Sequence, residues 1–122
     1  MVVNKVDFKT KVGIDNVIQY QILSYCFFNE IQISNSDLKC LTELAKLDSV
    51  ELTTFCIDIT NKKIFNSPQS ARNAITKAEK KKLVIKNGHN KKKISLNTIM
   101  NIQTNGTILL DYKILGGESK ES

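Results

Sequence analysis

Gln69, Ser70, Arg72, Asn73, Thr76, Lys77 and Lys80 fall within one short stretch, and their side chains share a chemistry. Amides and a guanidinium present paired donors and acceptors, hydroxyls adjust to either role, and ammonium groups carry charge. Such groups hydrogen-bond to base edges and to phosphates. A second set follows directly: Lys86, His89, Lys91, Lys92 and Lys93 surround the turn signal Asn87-Gly88. Lysines there offer charge to a polyanion rather than a pattern to a base. Both sets lie within residues 62–93, which hold eleven of the eighteen basic residues and one of the twelve acids. Clustered cations give salt-dependent affinity for nucleic acid through counterion release. The plain alternative is a solvated, lysine-rich helix end and hairpin, because charge runs are often only surface.

Catalysis finds no comparable set. Cys26, Cys40 and Cys56 are three, cannot all pair within one chain, and form no Cys-x-x-Cys. They read as buried, reduced thiols acting as small hydrophobes. His89 is the only histidine and has no Cys, Asp or Glu beside it to complete a metal site or a catalytic pair. It reads as an exposed turn residue, or as a hairpin-tip contact to nucleic acid. No glycine-rich phosphate loop, paired-carboxylate motif, Gly-x-Ser-x-Gly or histidine cluster occurs. The expectation is therefore no enzyme, no catalytic residues, no metal and no cofactor. Asn105-Gly106-Thr107 matches a glycosylation sequon but reads as a turn in an intracellular chain. No apolar run reaches the roughly 18 residues that span a bilayer, and the first residues lack the apolar segment of a secretory signal. An intracellular protein with no membrane partner is expected.

The elements that must position these residues can be traced along the chain. Val2 to Val12 alternates loosely and reads as a strand or arm, ended by Gly13. Asp15 or Asn16 is expected to cap a first helix reaching about Ile31, apolar around most of its circumference. Such a helix needs burial on two sides, within the domain or against another subunit. Ser34 and Asp37 have the spacing of a capping box for a second helix to about Leu47, burying Leu38, Leu41, Leu44 and Ala45. Ser49 is a candidate cap for a third helix, in which Leu52, Phe55, Cys56 and Ile59 share a face. Ser67 and Pro68 open a fourth, over 67–82, with Ala71, Ala74, Ile75 and Ala78 as its buried stripe. Three alanines in that stripe let the helix sit close to its neighbours. Asn87-Gly88 then predicts a hairpin, with Ile85, Ile94 and Leu96 toward the core. Asn105-Gly106 predicts a second hairpin from Ile99–Thr104 and Thr107–Leu115, which needs a partner surface. That surface could be the domain, the N-terminal arm or another subunit. Residues 116–122 read as a disordered tail.

From about Asp37 to Leu96, the helix–helix–helix–hairpin order resembles a winged helix-turn-helix of the kind found in bacterial regulators and in phage or plasmid replication initiators. Gln69 to Val84 is similar to the recognition-helix pattern of that family. In that pattern, small and polar residues lead to Arg or Asn, then an apolar pair, then a leucine-glutamate-lysine-lysine-glycine-leucine ending. Here Ala78 stands for the leucine and Lys82 for the glycine. The resemblance covers about half the chain. It implies a mainly α fold with β-hairpins: four helices plus a wing, and an additional C-terminal hairpin. The organisation would be an arm over 1–14, the winged domain over 15–98, a hairpin extension over 99–115 and a tail over 116–122. It further implies that Gln69, Ser70, Arg72, Asn73, Thr76, Lys77, Lys80, Lys86, His89, Lys91, Lys92 and Lys93 meet double-stranded DNA.

Two functions fit these expectations. One is a DNA-binding regulator of transcription or replication from a phage or other mobile element, dimeric and in the host cytoplasm. The other is a phage virion assembly protein, a ring or connector component near the portal that uses a winged-helix fold for packing. The Lys-, Asn- and Ile-rich composition, the arm and the second hairpin also resemble small phage proteins. Fold alone does not choose between the two.

Overall fold

Residues 2–5, 13–104 and 111–114 are described by the structure, a computed structural model, with residues 2–5 and 111–114 seen as backbone strands. The elements run β1 (Val2–Lys5), α1 (Ile14–Phe28), α2 (Asn35–Ala45), β2 (Val50–Glu51), α3 (Leu52–Asn61), α4 (Pro68–Lys80), β3 (Val84–Asn87), β4 (Lys93–Leu96) and β5 (Asp111–Ile114). Among the described residues the protein is mainly helical, with four helices and a small three-stranded antiparallel sheet of order β2-β4-β3. Among the described residues no helix is long and apolar enough to cross a membrane.

Local chemistry explains where α2 and α4 begin. Ser34 Oγ accepts from the Asp37 N–H at 3.1 Å, and Asp37 Oδ2 accepts from the Ser34 N–H at 3.4 Å, completing the capping box. Ser67 Oγ accepts from the Ser70 N–H at 3.1 Å, with Pro68 at the first helical position, where its missing N–H leaves no gap. The other two starts differ from the sequence expectation. α1 is capped by the backbone of Gly13 rather than by Asp15 or Asn16, and Asp15 in its first turn reaches Lys46 instead. α3 starts after Glu51, not Ser49, because the two-residue β2 intervenes; Ser49 donates to Asn87 Oδ1.

Three helices end in the same way. After α1, α3 and α4 the chain turns left-handed at Glu30 (φ 56°), Lys63 (φ 61°) and Lys82 (φ 63°). The next N–H reaches back to the helix: Ile31 to Cys26 O, Ile64 to Ile59 O, Leu83 to Ala78 O. These are Schellman closures, normally built on glycine, and each is followed by an apolar residue folded onto the core. The first of them stops α1 at Phe28, short of Ile31.

The core joins Ile18 and Ile22 of α1, Leu41 and Leu44 of α2, Phe55 and Ile59 of α3, Ile75 of α4, and Leu83, Val84 and Ile94 from the sheet side. Ala71, Ala74, Ile75 and Ala78 are all buried, as their spacing requires. Cys26, Cys40 and Cys56 are buried and free. In the sheet, Val84 pairs with Leu96 and Lys86 with Ile94, so those four share a face. Val84 is buried there, whereas Ile85 lies opposite Ser95 on the other face and is half-buried. The expected core role of Ile85 thus passes to its neighbour, a one-residue shift in which strand position faces inward.

The second hairpin is not built as expected. Thr98–Met100 is a short 3-10 turn whose Ile99 N–H is held by Asn97 Oδ1 at 3.1 Å, and Asn101 follows with φ 50°. A left-handed residue after a tight turn cannot continue a strand, and Met100 is buried. β5 instead pairs antiparallel with β1, Val2 opposite Ile114 and Lys5 opposite Asp111. Of the partners that the sequence left open, this is the N-terminal arm. The rest of that arm (Val6–Val12), the Asn105-Gly106 turn and the tail 116–122 lie outside the described residues.

Candidate nucleic-acid interface

α4 presents its polar residues as a periodic face. Gln69, Asn73, Thr76 and Lys80 are exposed and lie opposite the alanine stripe. Gln69 Nε2 donates to Asn73 Oδ1 at 2.9 Å, and Thr76 Oγ1 donates to the Arg72 carbonyl at 3.0 Å. Arg72, half-buried at one edge of the face, donates from Nη2 to Thr53 Oγ1 at 3.3 Å, touching the first turn of α3. Ser70 lies at the other edge beside the Ser67 cap. The face holds no acid and no large apolar side chain.

Two of the twelve expected site residues are tied elsewhere. Lys77 Nζ is 3.2 Å from Asp37 Oδ2 on α2, and Lys86 Nζ is 3.4 Å from Glu79 Oε1 on α4. Register explains Lys86: it shares the inward face of the sheet with Val84, on the side from which its ammonium reaches Glu79 of α4. Asp37, Thr53 and Glu79 are the residues that the sequence reading missed. Each contacts a site residue from elsewhere in the chain or from the flank of α4; Asp37 is legible as part of a cap, but no local pattern ties the three to the site.

The hairpin tip carries the remaining residues. His89, Lys91, Lys92 and Lys93 are all exposed. The turn is not a two-residue Asn-Gly type: Asn87 is the last strand residue, and left-handed φ values fall at Gly88 (84°), Asn90 (58°) and Lys91 (55°) around a 3-10 turn over His89–Lys91. A Cβ on Gly88 would press to 3.2 Å from the Lys93 side chain, so both backbone angle and space favour glycine. Asn87 braces the base of the turn, donating to Ser95 Oγ at 3.3 Å.

Charge is distributed unevenly over the molecule. Lys46 and Lys62 join Asp15, Glu43 and Asp58 in a chain of ion pairs at 2.8–3.2 Å that links α1, α2 and α3. Burial pushes the Glu43 carboxyl up, but hydrogen bonds and charge from Lys62 and Lys46 outweigh it and hold it below the usual carboxylate range. By contrast, Lys63, Arg72, Lys80, Lys82, Lys91, Lys92 and Lys93 have no carboxylate partner among the described residues. Their charge is available to a polyanion.

Burial pushes all three thiols up, Cys40 to about 12 with Cys56, Asp37 and Glu43 adding to the effect. None carries thiolate at neutral pH. No group of three His, Cys, Asp or Glu able to hold a metal occurs among the described residues. A cleft of about 260 Å³ between the end of α2 and the Ser95–Ile102 segment has Asp48 as its one ionisable side chain among the described residues. A lone carboxylate offers no acid–base pair. No protein-family model matches this chain, and neither a curated protein nor a solved structure matches it.

Proposed function

We propose that the segment from about Asp37 to Leu96 forms a winged helix-turn-helix that reads double-stranded DNA, in a regulator of transcription or replication from a phage or other mobile element. α3 braces α4, α4 enters the major groove, and the β3–β4 hairpin is the wing against the backbone. The observation that carries this reading is the exposed face of α4, where Gln69, Asn73, Thr76 and Lys80 stand together with Arg72 at the edge and no acid among them. The left-handed Lys82 supports it, since that residue occupies the glycine position of the resembled pattern and has the conformation glycine would take there.

Within this reading Arg72 and Asn73 recognise bases, because Arg pairs with guanine and Asn with adenine in two-bond geometries. Gln69, Ser70 and Thr76 support them. Lys80, His89, Lys91, Lys92 and Lys93 meet phosphates, while Lys77 and Lys86 act from their ion pairs at the margin. Selection from random duplexes should yield a preferred site. Arg72→Ala or Asn73→Ala should then lower discrimination at one base position by about 1–3 kcal/mol and leave non-specific binding nearly intact. A selection that yields no preferred sequence removes the regulator.

The second reading, a virion assembly component, rests on the outward apolar face of α1, which calls for some partner of its own. A ring of many copies in solution, with duplex binding indifferent to sequence, would support it.

A further inference from the structure

α1 packs its inner side, Ile18, Ile22 and Cys26, into the core, yet carries a second apolar strip on its outer side. Tyr20, Leu23, Phe27 and Phe28 are 52, 48, 77 and 79% exposed. Tyr20, Leu23 and Phe27 follow at steps of three and four, the spacing of a seam onto which another helix packs. The Phe27 and Phe28 rings meet edge to face with centroids 5.5 Å apart, which joins Phe28 to the strip. The strip is also free of charge: from Asn16 to Asn29 the sequence has no Asp, Glu, Lys or Arg, in a chain of net charge +6. Two copies can meet along it without setting like charges against each other.

We propose that this strip is a twofold interface in which α1 packs against α1 of a second copy of this chain. Its three aromatic rings expose roughly 400 Å². Doubled by the twofold and widened by Leu23 and Asn16, the contact comes to about 1,000 Å² when fully covered, the least that a biological interface needs. A twofold contact needs one patch, used by both partners, whereas a ring needs two different patches that fit each other. Among the described residues the exposed large apolar side chains outside α1 are Leu47, Ile57 and Ile99, on three different segments. Among the described residues one such patch is present, and a closed pair needs no second. The pairing stands independently of what α4 meets.

Sedimentation of the full chain over a wide concentration range tests it. The wild type should reach twice the 13.8 kDa of one chain. Phe27→Glu and Phe28→Ser should each raise the dimer dissociation constant at least about tenfold with unchanged circular dichroism, while Ile57→Glu should not. A second readout is oxidation of Ser24→Cys, which should cross-link two chains. A wild type that stays at 13.8 kDa overturns the proposal; if Phe27→Glu then also lowers thermal stability, the strip is covered by the chain's own segments. A ring mass, or folded Phe27→Glu and Phe28→Ser proteins that remain dimeric, overturns it as well.

Discussion

The Lys77 ammonium lies 3.2 Å from the carboxylate of Asp37, and that same carboxylate closes the capping box of α2. One buried acid therefore fixes the start of one helix and the edge of another. A lysine whose sequence position assigns it to the partner-facing set is held back as an anchor between α2 and α4.

Removing the two partners should have unequal effects. Asp37→Ala loses the cap as well as the pair and should cost about 1–2 kcal/mol in urea unfolding. Lys77→Ala loses a half-exposed pair and should cost less than about 1 kcal/mol. The reverse order would mean that the ion pair, not the cap, is what Asp37 contributes.

Lys82 should be replaceable to advantage. A side chain at φ 63° costs about 1–2 kcal/mol relative to the right-handed region, offset in glycine by roughly 0.5–1 kcal/mol of unfolded-state entropy. Lys82→Gly is thus expected to raise stability by up to about 1 kcal/mol, and Lys82→Val to lower it. Thermal unfolding of the two variants checks the sign of each.

The ion-pair chain predicts a definite pH response. Glu43 is held below its unfolded value, so its contribution is present above about pH 5 and is lost as pH falls through the lowered folded value. Lys46 is raised, first by its hydrogen bond to Asp15, and Lys62, first by its hydrogen bond to Glu43. Their contribution is present below about pH 10 and is lost as pH rises through the raised folded values. Stability measured against pH should fall at both ends, and Glu43→Gln should flatten the acid side.

The wing lysines should act on affinity and not on sequence choice. Alanine at Lys91, Lys92 and Lys93 together should weaken duplex binding about equally on every sequence. It should also reduce the slope of log affinity against log salt by about one unit per lost phosphate contact. An unchanged slope would remove the wing from the interface.

The starts of α2 and α4 were legible because their signals are local: Ser34 with Asp37, and Ser67 with Pro68, act within one turn. The alanine stripe was legible for the same reason. The end of α1 was not, since Glu30 does a glycine's work and leaves no glycine to read. β2 was invisible at two residues, because it exists only through its pairing with β4. The inward position of Val84 depends on the register of that same sheet, and the partner of β5 sits at the opposite end of the sequence. At the site, the polar set on α4 follows from periodicity, whereas the ties of Lys77 and Lys86 depend on tertiary placement.

β4 lies between β2 and β3, and the first N–H of α3, that of Leu52, donates to the carbonyl of Lys92 at 2.8 Å. The basic hairpin and the helix that supports α4 therefore share a single strand as their common frame. Moving the hairpin independently of α3 would require breaking the β2–β4 ladder and the Leu52–Lys92 hydrogen bond. Under the proposed DNA reading the two elements would form a caliper with locked jaws: a partner would have to match the width at which it is set, and partners that differ in that width would be sorted by shape before any side chain reads them.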